Sequence, residues 1–62
     1  MKSIADKLRA ALDNIDDAIS LLREAAREDK RLAAALEDTI YYLEEAGEAL
    51  NSILEREYSS GE

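Results

Sequence analysis

The sequence predicts an all-α fold: a two-helix antiparallel hairpin that pairs with a second copy into a four-helix bundle. Three observations point there. Pro is absent, Gly occurs only at Gly47 and Gly61, and Ala, Leu, Glu, Asp and Arg dominate, so nearly every position favours or tolerates helical φ/ψ. Apolar residues recur every 3.5 positions in one register along almost the whole chain. The apolar stripe is also wider than one neighbouring helix can cover. Val, Phe and Trp are missing and β-branched residues are few, which argues against strands.

The first helix is expected over about residues 3–28. Ala5, Leu12, Ile19 and Ala26 occupy heptad position a, and Met1, Leu8, Ile15 and Leu22 occupy d. Ser3 is placed to cap it, with Asp6 three residues on in a weak capping-box pattern. The seam then fails at Asp29, a d position inside the charged run Arg27 to Arg31. A carboxylate in a coiled-coil core is costly unless paired, whereas Asp is a good N-cap. A short turn is therefore expected at Asp29 to Arg31. The second helix follows over about residues 30–58, with Ala33, Ile40, Gly47 and Leu54 at a and Leu36, Leu43 and Leu50 at d. Residues 1–58 make one helical-hairpin domain and residues 59–62 a disordered tail. Neither Gly nor Pro marks the turn, so the same pattern also fits one continuous coiled-coil helix of ~85 Å; the broken seam favours the hairpin.

Folding about residue 31 gives the layers Leu8/Leu54, Leu12/Leu50, Ile15/Gly47, Ile19/Leu43, Leu22/Ile40 and Ala26/Leu36. The missing Cβ of Gly47 is expected to let the helices close in against Ile15. Of the two flanks of this hairpin, the e side is polar, with Arg23 expected opposite Glu37, Arg9 opposite Asn51 and Asp16 opposite Glu44. The g side pairs Ile4 with Ile53, Ala11 with Ala46, Ala18 with Thr39 and Ala25 with Leu32, and is almost wholly apolar. Tyr42, Ala49 and Ala35 at c positions widen it on the second helix, and Leu21 does so on the first. An isolated hairpin has no need of that stripe; a homodimer does. The self-association residues are therefore Ile4, Ala11, Ala18, Ala25, Leu32, Thr39, Tyr42, Ala46 and Ile53.

Size and charge narrow the function classes. A chain of 62 residues is at most one domain and is marginal alone. It has no Cys or His, which removes disulfides, Cys/His zinc sites, the thiol nucleophile and the commonest general base. No Ser has a triad-like partner, so neither an enzyme nor a cofactor or metal site is expected. The net charge of −7 falls entirely on residues 32–62, residues 1–31 being balanced. That argues against holding nucleic acid, where affinity comes from Lys and Arg. No apolar run approaches the ~20 residues that span a bilayer. No charged-then-apolar leader opens the sequence, so a natural protein of this kind is expected in the cytoplasm.

One candidate surface remains for a different partner. Glu37, Glu44, Glu48 and Glu55 lie along one side of the second helix with Tyr41 among them. Such a face is usually just solvated; its functional reading is a phosphate-imitating ridge that grips a basic protein, with Tyr41 as anchor. Tyr58 is expected to cover the open end of the hairpin.

In length, heptad phase and a central turn without Gly or Pro, the chain resembles the small Rop-type RNA-binding hairpins, which dimerise into four-helix bundles. That family binds RNA through basic, amide and aromatic residues on the outward side of its first helix. Here that side carries Ala10, Asp13, Asp17 and Glu24, with Arg9 and Arg27 as its basic members. No functional residue carries over, and the RNA-binding role is not implied. The reading is a self-associating helical-bundle module with a structural or interaction role. The consistent patterning fits a designed protein as well as a natural one, although the g-flank alanines, Gly47 and the unmarked turn are less regular than design favours. The alternative is a small acidic regulator, inhibitor- or antitoxin-like, of a basic protein.

Overall fold

The computed structural model describes residues 3–58. Two α-helices, α1 (Ile4–Glu28) and α2 (Lys30–Glu57), pack against each other as a hairpin, so the continuous-helix arrangement is not the one adopted. The expected tail at residues 59–62 lies outside the described residues, as do Met1 and Lys2.

Each helix begins where the sequence supplies a cap. The Ser3 hydroxyl accepts a hydrogen bond from the Asp6 backbone N–H at 3.1 Å, satisfying one of the four donors a helix start leaves unpaired. Asp29 does more, because it ends one helix and starts the next. Its N–H donates to the Ala25 carbonyl at 3.0 Å, completing the last turn of α1. Its carbonyl accepts from Ala33 N–H at 3.0 Å, and its carboxylate accepts from the N–H groups of Arg31 at 2.9 Å and Leu32 at 3.4 Å. The whole reversal is made by this one extended residue, φ −140° and ψ 106°. No described residue has positive φ, which is why the turn has no use for Gly. The d-position carboxylate that would burden a continuous seam is here a cap.

Between the helices the seam behaves as its register requires. Every a and d residue from Ala5 to Leu54 is buried or half-buried, with Ile19, Gly47 and Leu54 the most enclosed. An alanine methyl built at Gly47 would lie 3.6 Å from Ile15 Cγ2 and 3.7 Å from Leu12 Cδ1. The Ile15/Gly47 layer therefore forms as expected, but the packing reason for glycine does not hold: those distances are ordinary van der Waals contact, and Ala would fit.

The core is thin. Ile19 and Leu54, at 8% and 7% exposure, are the only large apolar side chains among the described residues that count as buried. Two helices alone give each side chain one layer of neighbours, and the hairpin measures 46 × 22 × 13 Å, little more than one helix deep.

Candidate functional site

The two flanks of the hairpin differ in chemistry, and each collects one set of the residues singled out in the sequence. On an α-helix, positions g and c stand about 40° apart, both well away from the seam, while e and b form the corresponding pair on the other side.

The g and c flank is a sheet of exposed apolar side chains. Ile4 is 62% exposed, Leu21 65% and Tyr42 67%, with Leu32 and Ile53 also open to solvent. The centre of this flank is small: Ala11 and Ala46 are exposed, Ala18 and Ala25 half-buried, and Thr39 exposed. At the g positions the large groups Ile4, Ile53 and Leu32 stand towards the ends with small ones between, while Leu21 and Tyr42 stand at the outer c positions of the middle. Nothing within the hairpin covers this flank, whereas its seam is covered throughout.

The e and b flank is polar and grooved. Glu37, Tyr41, Glu44, Glu48 and Glu55 fall, with Asn51, on one row of α2 at successive spacings of four and three residues, so they share a face. Shallow grooves run beneath this row along the helix pair. One, near the turn, has a mostly apolar lining of Ala26, Ala33, Ala34 and Ile40, with Arg23, Arg27, Lys30, Glu37, Tyr41 and Glu44 around it. The next is lined by Asp16, Ser20, Tyr41, Glu44, Glu48 and Asn51 at mid-length. The third includes Arg9, Asp13, Asn51 and Glu55 towards the open end. Arg27 and Lys30 were missed as members of this face, although their b and e positions place them there; they make its turn end cationic rather than acidic.

The ion pairs across this flank differ from the expected ones. Arg23 pairs with Glu44, not Glu37. The reason is the lean of helical side chains toward their own N-terminus. In an antiparallel pair this tilts Arg23 toward the open end and Glu44 toward the turn, so the two converge, while Glu37 tilts away. Arg9 meets Asp6 on its own helix at 3.6 Å instead of Asn51, and Asn51 donates to Glu55 at 3.4 Å. All these groups are largely solvated, so they orient side chains more than they stabilise the fold.

Tyr41 and Tyr42 point to different flanks, as their ~100° separation demands. Tyr41, 54% exposed, overhangs two of the polar grooves, and Tyr42 stands on the apolar side. Their rings still meet edge-on over the outer ridge of α2, centroids 5.8 Å apart at 63°. Tyr58 is the C-cap of α2, its N–H donating to the Leu54 carbonyl at 2.9 Å, with its side chain partly exposed.

Among the described residues no group of three or more His, Cys, Asp or Glu side chains is placed to hold a metal ion. Among the described residues no helix is long and apolar enough to cross a membrane. Comparison of the chain with protein-family models, curated proteins and solved structures finds no match.

Proposed function

We propose that this chain is a self-associating helical module, and that two hairpins pack their g and c flanks together to complete a four-helix bundle. The observation that carries this reading is the continuous apolar flank, with Ile4, Leu21, Leu32, Tyr42 and Ile53 all exposed, beside a seam that encloses so little. Apolar surface gathered on one side of a small protein marks an interaction site, because its burial is the favourable term still unrealised.

The area involved supports a partner. The accessible surface is 4862 Å² for a chain of 6.9 kDa. A compact monomer of that mass exposes about 4000 Å². The excess reflects a hairpin little more than one helix deep, a shortfall of burial that a second copy packed on one flank would make up. A second copy of the same hairpin offers the same excess and the same profile.

The test is a pair of substitutions at the small centre of the flank. Ala11→Glu with Ala18→Glu sets four carboxylates in the proposed interface of the dimer while leaving the seam untouched. Sedimentation equilibrium is expected to show the parent as a dimer and the variant as a monomer with reduced thermal stability. A variant that stays folded and dimeric overturns the reading.

A second reading is supported by Tyr41, a half-exposed aromatic overhanging grooves lined by Glu44 and Glu48. On that reading the e and b flank binds a basic protein partner, and the chain is a small acidic regulator. Replacing Tyr41, Glu44 and Glu48 together is then expected to abolish capture of that partner with helix content and mass unchanged. The internal pairing of Glu44 with Arg23 speaks for the simpler view that this flank faces water.

A further inference from the structure

The apolar flank carries three charged residues, and their placement selects one way for two copies to meet. At the g and c positions of the whole sequence the only charged side chains are Lys7, Glu28 and Arg56. Lys7 and Arg56 lie at the open end of the hairpin, Glu28 at the turn end, and all three are exposed. None of them takes part in either ion pair found among the described residues. The flank is therefore polarised along its length, positive at one end and negative at the other, with small neutral residues between.

Two hairpins can be laid flank to flank with a two-fold axis in the plane of contact in two ways. With the axis along the helices, both turns lie at the same end. Each α1 then faces the partner's α2, so Lys7 of one copy approaches Arg56 of the other, and Glu28 finds no cation of the flank. With the axis across the helices, the turns lie at opposite ends and each helix faces its own copy. Centring that axis at Ala18, the middle of the small region, brings Lys7 opposite Glu28 of the second copy, with Arg56 at the same height on the adjoining helix. The symmetry repeats the contact at the other end.

Resting on the self-association proposed above, we infer that the occupant of this flank is a second copy docked with its turn against the open end, its direction set by Lys7 and Arg56 facing Glu28. Apolar contact supplies the affinity; the charges at the rim of the contact supply the direction, by attraction in one orientation and like-charge opposition in the other. The same axis sets Ala11 opposite Ala25 of the second copy and Ala18 beside its own copy, where two helices approach most closely.

The experiment combines a distance with a charge exchange. The chain has no Cys, so Lys30→Cys places a single spin label at the turn, outside the apolar flank. Pulsed dipolar spectroscopy is expected to give a label separation of about 40 Å, near the 46 Å length of the hairpin. A separation below about 30 Å, with the labels on the outer faces of adjoining turns, places the turns together and overturns the inferred orientation while leaving self-association standing. Absence of any dipolar signal at concentrations well above micromolar removes the dimer itself, and the orientation with it. In parallel, Glu28→Lys is expected to weaken the dimer about tenfold at low salt by reversing the contact at both ends. Adding Lys7→Glu and Arg56→Glu to it is expected to restore most of the affinity. Equal affinities for parent and Glu28→Lys contradict the role assigned to these charges, whatever the distance shows.

Discussion

Asp29 joins the two helices by serving both of them, its backbone closing α1 and its carboxylate opening α2. Replacing it by Ala leaves the N–H groups of Arg31 and Leu32 to water. The expected cost is about 1 kcal/mol, the usual loss for an N-cap, read as a lower urea midpoint at unchanged m-value; Asp29→Asn, which can still accept, is expected to keep most of it. Gly47 makes the opposite prediction. It lies in the interior of α2 with conventional φ, and the methyl of Gly47→Ala meets Ile15 and Leu12 at contact distance without a clash. Gly in a helix interior costs about 1 kcal/mol relative to Ala, so this substitution is expected to raise the melting temperature. A fall would mean that the helices must close further there than they do in the isolated hairpin. The two positions also show what a sequence can convey about single residues. The cap was legible at Asp29 because a carboxylate at a core position has few other acceptable uses. Glycine at 47 was read as a packing device because a missing side chain does not state how much room surrounds it.

At the scale of the helices, the seam was legible in full, since a 3.5-residue period names the same positions whatever they face. Where the hairpin folds was also readable, from one misplaced acid in an otherwise apolar row. The cross-helix ion pairs were not, because equal heights on paired helices ignore the tilt of the side chains, which moved the partner of Arg23 from Glu37 to Glu44. Both members of that pair are about half exposed. Arg23→Ala is accordingly expected to change stability by less than about 0.5 kcal/mol, and the difference is expected to vanish in 1 M salt. A larger, salt-insensitive loss in a denaturant titration would give the guanidinium a packing role over the groove instead. The same tilt brings Arg23 of α1 and Glu44 of α2 across one another above the seam. Of the cationic members of the e and b flank near the turn, Lys30 was overlooked because it falls in the expected turn at Asp29 to Arg31, and Arg27 because it was assigned to the outward side of the first helix.

The whole molecule is a hairpin little more than one helix deep, with one apolar and one acidic flank. Its seam encloses few large side chains, and the self-association proposed above would supply the missing buried area. The candidate residues separated by flank as their heptad positions required, yet a sequence holds no record of the second copy. In the proposed pairing, what covers Ile4, Leu21 and Tyr42 belongs to another chain, and that is why the fold was more legible than the proposed assembly. The most direct test of the two-copy bundle is small-angle X-ray scattering across a concentration series, since it returns mass and longest dimension together. A particle of twice the 6.9 kDa chain mass is expected, with a longest dimension near the 46 Å of the single hairpin, because flank-to-flank docking thickens the particle without lengthening it. A particle of one chain's mass at every concentration would contradict it, and would leave the apolar flank free for a partner of another kind.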